Sequence, residues 1–278
     1  MASRERRLSE LAQLGEQFRR DGNSAKAEPL LREALAIAEA DFSRDRLRVA
    51  AALNALGLVY KDLARFDDAR ALYARALDLL ERGEAADDHD VATLYHNLGG
   101  IEHARRNYAQ GEPFARRGVE IRRRAARRDD NSLAGDMVAL AAILDGQRKF
   151  DEAERLYVEA LGILEREPDA NAGEIAVALN DLGALYAQRD EADRAEELLS
   201  RAATLKSQAL GPRHPDVAVT LNNLALVCKR RGDLEHAASL YRAAVEIFEE
   251  SLGADHPKSI ACRRNFAHCA SEVRECRA

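Results

Sequence analysis

Apolar residues recur along this chain at the spacing of one helical face, in pairs of runs separated by short polar turns. From Val49 to Tyr60 they fall at i, i+3, i+4 and i+7, the period of an amphipathic helix. Leu63-Ala64-Arg65-Phe66-Asp67 reads as a turn. A second run opens at Asp68-Ala69 and continues through Leu72, Tyr73, Ala76, Leu77, Leu79 and Leu80. No segment shows the strict alternation of a half-buried strand. The pattern predicts an all-α protein made of helical hairpins.

The hairpins repeat. Leucine returns every 42 residues without insertion or deletion, at Leu14, Leu56, Leu98, Leu140, Leu182 and Leu224, and Phe266 continues the column. A small residue follows each time: Gly15, Gly57, Gly99, Ala141, Gly183, Ala225 and Ala267. Two further small columns keep phase, one through Ala27, Ala69, Gly111, Ala153, Ala195 and Ala237, the other through Ala34, Ala76, Gly118, Ala160, Ala202 and Ala244. A fixed period in this range marks stacked supersecondary units that cannot bury their apolar faces alone. Small residues belong where two helix backbones cross closely. Six units, 8–49, 50–91, 92–133, 134–175, 176–217 and 218–259, with a capping helix in 260–278, account for the chain as a single repeat domain. Thirteen helices are expected, the last unpaired over Ile260–Arg274, with Cys262, Phe266 and Cys269 packing on the sixth unit.

Stop signals separate the units. Leu210-Gly211-Pro212-Arg213-His214-Pro215-Asp216 and Leu252-Gly253-Ala254-Asp255-His256-Pro257 each supply a glycine to end one helix and a proline for the first turn of the next. Leu-Gly-x-x-Tyr at 56–60, with Ala69, Tyr73 and Ala76, resembles the tetratricopeptide repeat signature. The period resembles the longer variant of kinesin light chains and many bacterial proteins, most closely over Leu210–Ala225 and the partner helix Ala237–Phe248. The resemblance implies a right-handed superhelix whose concave groove, lined by the first helix of each pair, binds a peptide or partner segment. The heptad coiled coil of a kinesin subunit is missing.

Groove chemistry follows from the columns flanking the leucine. One reads Ala12, Asn54, His96, Val138, Asn180, Asn222 and the next Gln13, Ala55, Asn97, Ala139, Asp181, Asn223. Asparagine inside a helix costs roughly 0.5 kcal/mol relative to alanine, so five of them ask for a reason. A primary amide both donates and accepts. These residues could therefore be rungs for an extended ligand backbone, the role that the kinesin light chain resemblance implies for Asn222 and Asn223. They could equally bond across adjacent helices and set repeat spacing. A third column, Arg19, Lys61, His103, Asp145, Ala187, Lys229, is flanked by Arg20, Asp62 and Arg230 and extended by Arg263 and Arg264. Basic residues toward both ends of the groove favour an acidic ligand, unless they are ordinary solvated charges. The Lys-and-Asn carboxylate clamp of chaperone co-factors is not matched.

Units three and four depart from the pattern. Gly99, Gly100, Gly111 and Gly118, then Gly135, Asp136, Ala139, Ala142 and Gly146, leave small residues where others are bulky. Each helix-interior glycine costs about 1 kcal/mol, so this centre should be loosest. It is either a recess walled by His96, Asn97 and His103 or a drifted repeat. Arg116, Arg117, Arg122, Arg123, Arg124, Arg127 and Arg128 lie on the second helix and are expected to face away from the groove, as a solvated surface or a second acidic-partner site.

Composition adds limits. The chain carries a net charge of −6 over 278 residues, so it lacks a basic footprint for nucleic acid. There is no signal-peptide apolar region and no long apolar run for a membrane. Cys262, Cys269 and Cys276 are spaced by two helical turns, about 10 Å, beyond disulfide reach. Together with Cys228 they read as reduced cysteines of a cytoplasmic protein. Only six of the 42 basic residues are lysine, a bias expected of a GC-rich bacterial genome. His96 and His103 are seven apart, whereas zinc pairs on one helix favour three or four. No phosphate loop follows a strand, and neither metal, cofactor nor catalysis is expected. The function expected is a monomeric interaction scaffold binding a partly acidic peptide through Asn54, Lys61, His96, Asn97, His103, Asn180, Asn222, Asn223, Lys229 and Arg230. The alternatives are a peptide- or small-molecule-responsive regulator and a pathway accessory protein, with the central recess holding a small molecule.

Overall fold

In the computed structural model, residues 2–81, 88–125 and 130–277 are described. They form 13 helices and no strand: α1 (Ala2–Arg20), α2 (Ser24–Asp41), α3 (Arg46–Asp62), α4 (Phe66–Glu81), α5 (Asp88–Ala104), α6 (Tyr108–Arg124), α7 (Asp130–Gly146), α8 (Phe150–Leu164), α9 (Ala172–Gln188), α10 (Ala192–Leu210), α11 (Pro215–Arg230), α12 (Leu234–Leu252) and α13 (Pro257–Arg277). Two compact units are distinguished, Met1–Arg148 and Lys149–Ala278. In the first, the hairpins α1/α2, α3/α4 and α5/α6 stack in chain order and α7 packs on α6. In the second, α8 packs on α9, the hairpins α9/α10 and α11/α12 follow, and α13 lies along α12.

Local chemistry sets the helix ends. The turns after α1, α3, α5, α7, α9 and α11 pass through the left-handed region, at Gly22, Ala64, Arg106, Arg148, Asp190 and Gly232. Arg65 N–H donates to Tyr60 O at 2.8 Å and Ala64 N–H to Lys61 O at 3.0 Å, the paired bonds of a Schellman stop that satisfies the last carbonyls of α3. Between hairpins, His214 and His256 precede prolines. Their Nδ1 atoms accept from Asp216 N–H and Lys258 N–H at 3.2 Å, capping α11 and α13 one residue ahead of the proline. The last helix therefore begins at Pro257, three residues before the expected Ile260.

The core is a series of thin seams. Tyr73, Tyr157 and Tyr241 are fully enclosed, and each is worth on the order of 2–3 kcal/mol of apolar burial. A Cβ added to Gly57 would collide with the Tyr73 ring, and one on Gly183 would stand 2.8 Å from Leu199 Cγ. The small column is therefore a socket for the large side chain on the second helix of the same hairpin. Leu56, Leu98, Leu140, Leu182 and Leu224 are buried, whereas Leu14 is 48% exposed. At the other end Cys262 and Cys269 are buried, with Sγ atoms 3.9 Å from Tyr241 O and 3.5 Å from Leu234 O. Phe266 is only half-buried, beneath Arg242.

Candidate functional site

The asparagines on the first helices bond to one another across neighbouring hairpins. In residues 1–148, Asn97 is buried and donates to Asn54 Oδ1 at 2.8 Å. In residues 149–278, Asn180 Oδ1 accepts from Thr220 Oγ1 at 2.9 Å and from Asn223 Nδ2 at 3.5 Å, while its own amide donates to Asp181 at 3.0 Å. Asn222 accepts from Asn265 at 3.1 Å. Of the two roles read from the sequence, the inter-hairpin bond is the one these contacts display. Asn54, Asn222 and Asn223 remain half-buried, and an amide with two donors and two lone pairs keeps capacity for a further partner.

The cations of the same face are tethered. Arg19 pairs with Glu16 at 2.8 Å and Asp62 at 3.3 Å, and Arg20 with Glu16 at 3.3 Å. Lys229 Nζ lies 3.1 Å from Glu272 and 2.9 Å from His268 Nδ1. Arg230 donates to Ala187 O and stands 3.7 Å from Asp190, and Arg263 pairs with Glu249. Lys61 is half-buried, and desolvation pulls its pKa below the ordinary lysine value against the attraction of Asp62. His103 meets Tyr108 in a tilted contact, with ring centroids 5.6 Å apart and the planes inclined at 60°. Desolvation lowers its pKa, opposed by Asp145. His96 Nδ1 sits 2.9 Å from Asp136 Oδ1.

One expectation is overturned. Arg122 does not face outward with the rest of the arginine run. It is 8% exposed, donates from Nε to Asp136 Oδ2 at 2.6 Å and from Nη2 to Thr93 Oγ1 at 3.0 Å, and lies 2.8 Å from His89 Nδ1. Arg116 and Arg117 do remain at the surface, paired with Glu112 and Glu120, while Arg127 and Arg128 lie outside the described residues. The physical reason is the column that Arg122 occupies: Ala38, Leu80, Arg122, Leu164, Lys206, Phe248. Four members are apolar core, so the two cations are buried by position. The matching column on the next first helix, Ala52, Leu94, Asp136, Ala178, Thr220, Cys262, is polar at the same two junctions. Lys206 is buried and donates to Thr220 Oγ1 at 3.0 Å. Both clusters are thus written into the repeat pattern, as a cation in one column opposite a polar residue in the other.

Comparison with known proteins places this architecture. A tetratricopeptide repeat model matches residues 7–82, 90–166 and 174–250, most of the chain. The chain belongs to the tetratricopeptide repeat family. Among solved structures it is similar to BtubC (BKLC) from P. vanneervenii, with 23% identity, a TM-score of 0.65, and 91% of this chain and 94% of that one covered. Near-identical TPR-like repeats assigned to a kinesin light chain of Podospora anserina match at 16% identity and TM-score 0.60, over 73% and 96% of the two chains. The apo form of the quorum sensor NprR from B. thuringiensis matches at 15% and 0.69, over 92% and 68%. No curated protein matches the sequence. These likenesses establish the fold of a tetratricopeptide array with kinesin-light-chain-like relatives.

Within that array, Gly100 and Gly135 face open space, whereas Gly111 and Gly118 are filled by Glu102, Ile143 and Asp136. A recess of about 400 Å³ opens between α1, α2 and α3, lined mainly by Leu8, Ala12, Leu31, Ala51, Ala52 and Ala55. The ion pair Glu5–Arg48, at 2.6 Å, stands on its rim. Among the described residues no three His, Cys, Asp or Glu converge as a metal site, and no helix is long and apolar enough to cross a membrane.

Proposed function

We propose that the chain is an interaction scaffold that takes an extended segment of a partner protein along the first-helix faces of its tetratricopeptide repeats. One observation carries this reading. Half-buried amides on those faces, Asn54 in one unit and Asn222 and Asn223 in the other, share them with exposed Leu47, Val177 and Leu226. Leu47 is seven residues from Asn54, and Leu226 is four and three from Asn222 and Asn223, so each lies on the same helix face as an amide. An extended peptide needs both, since its backbone seeks amide partners and its side chains seek apolar contacts. Tethering of Arg19, Lys229 and Arg230 to carboxylates leaves Lys61 and the buried cations as the basis for acidic preference. Four unpaired cysteines suit a reducing, cytoplasmic setting. Nucleic acid is not among the partners proposed, and the scaffold acts as a monomer without catalysis.

The recess between α1, α2 and α3 favours a second reading, in which a small apolar molecule or ligand side chain docks there and regulates binding. A photo-crosslinking amino acid placed at Val177 or Leu226, against Val158 on the second-helix face of α8, tests the main reading. Adducts formed in the native cell at the first two positions and absent at the third support it. Adducts confined to Val158 overturn it.

A further inference from the structure

The two buried cation positions are equivalent in the repeat but not in their partners. Arg122 has its charge met by Asp136, and His89 and Thr93 receive its other nitrogens. Lys206 stands 84 residues further on, and there Thr220 replaces Asp136, Gly173 replaces His89 and Val177 replaces Thr93. Of those three groups only a hydroxyl is left, while Asp181 and Asp216 stand where Asn97 and Ser132 do in the earlier repeat.

Lys206 is 7% exposed, and its one hydrogen bond among the described residues goes to Thr220. Asp181 and Asp216 act on it only through space, and desolvation outweighs both. An ammonium has three donors, and a buried charge is costly unless it is paired and hydrogen-bonded. Gly173 and Val177 hold the repeat positions from which His89 and Thr93 reach Arg122, and both are open: a Cβ built on Gly173 meets nothing within 4 Å, and Val177 is 45% exposed. That space lies on the first turn of α9, whose backbone N–H groups also favour an anion. Glu174, the acid of the same turn, is exposed.

We propose that Lys206, approached past Gly173 and Val177, is the anchor for a carboxylate of the bound peptide. The proposal rests on the reading that the first-helix face holds a peptide, and it names the group that such a peptide must present. An incoming carboxylate would occupy the place that His89 fills beside Arg122 and supply the charge that Asp136 supplies there. The carboxylate belongs to an Asp or Glu side chain or to the peptide's C-terminus.

The test uses the full chain and two probes. Thermal melting in sodium acetate is compared with sodium chloride at equal ionic strength, for the wild type and Lys206→Met. Acetate should raise the wild-type melting temperature by a few degrees over chloride. Lys206→Met should be at least as stable in chloride, because an unpaired buried charge is gone, and should show a clearly smaller acetate increment, limited to the general stabilisation by a more excluded anion. A wild-type increment no larger than that of the variant overturns the anchor. Peptides selected from a random display library against the purified chain form the second arm. They should carry a required carboxylate and bind Lys206→Met on the order of a hundredfold more weakly. Loss of binding on Asp→Asn or Glu→Gln assigns a side-chain source, and loss on C-terminal amidation assigns the terminus. Peptides that bind without a carboxylate and ignore Lys206→Met overturn the anchor and leave the groove reading standing. An acetate response with no selectable peptide overturns the groove reading and with it the peptide anchor, and leaves Lys206 as a site for a free carboxylate.

Discussion

Asn97 and Asn54 face each other across adjacent hairpins at 2.8 Å, and this bond ties α5 to α3. Asn97→Ala gains roughly 0.5 kcal/mol of helix propensity but loses a buried amide bond worth about 1 kcal/mol and more. The balance should be a fall in melting temperature of a few degrees. Asn222→Ala, whose partner Asn265 is exposed, should change little. Thermal melts of both variants decide it, and a rise for Asn97→Ala would return that residue to ligand binding alone.

The Arg122–Asp136 pair is buried on both sides. Asp136→Leu strands the guanidinium and should cost about 3–5 kcal/mol. Arg122→Met combined with Asp136→Leu should recover most of that loss, because neither charge is then left alone. Urea unfolding followed by circular dichroism reads the difference. A double variant no better than the single one would mean that His89 and Thr93 hold the junction instead.

Tyr73 is fully buried and its hydroxyl has no hydrogen-bond partner among the described residues. Tyr73→Phe removes an unsatisfied polar group while keeping the ring in the Gly57 socket. Stability should rise by about 1 kcal/mol, measurable as a higher melting temperature.

Ala64 holds φ at 57° in the turn between α3 and α4, a conformation that costs a residue with a Cβ about 1 kcal/mol. Ala64→Gly should therefore stabilise the chain, less the entropy that glycine gains on unfolding. Gly232→Ala, at the equivalent turn, should do the opposite. Equal effects of like sign would deny that the turn requires φ > 0.

Burial pushes the thiols of Cys228 and Cys262 up to about 11, so roughly one in a thousand is thiolate at pH 8. Cys276 is exposed. Mass spectrometry after brief alkylation should find Cys276 labelled and the other three unlabelled until the protein is unfolded. Raising the pH toward 11 should bring labelling of Cys228 and Cys262 forward.

Periodicity in the sequence reaches the helices, the hairpin turns and the sockets, because each depends on residue size at a fixed spacing. Gly57 opposite Tyr73 is legible as soon as both columns are written out. The contact partners are not, because a column shows which face a residue occupies but not how far its side chain reaches. In sequence Arg122 looks like its neighbours Arg123 and Arg124, and only its apolar column-mates Leu80 and Leu164 mark it as inward. Asn180 and Asn223 stand out as a polar face, yet their mutual bond depends on how adjacent hairpins approach, which no single repeat encodes. Lys206 belongs to a second helix, outside the first-helix columns that define the groove, and its side chain crosses to Thr220 from there.

The left-handed turn recurring from Gly22 to Gly232 also governs how such a gene could change length. Arg122 and Asp136, like Lys206 and Thr220, sit on opposite sides of an inter-hairpin loop and within one stretch between successive turns. A recombination event that joins two chains inside the turns keeps each cation with its partner and preserves φ at the splice. One that joins them inside the inter-hairpin loops sets Arg122 against whatever residue follows, an alanine or leucine in most repeats, and strands its charge. Duplication and loss are therefore tolerated on the turn phase and penalised on the loop phase, which makes the second helix of one hairpin together with the first helix of the next the heritable module.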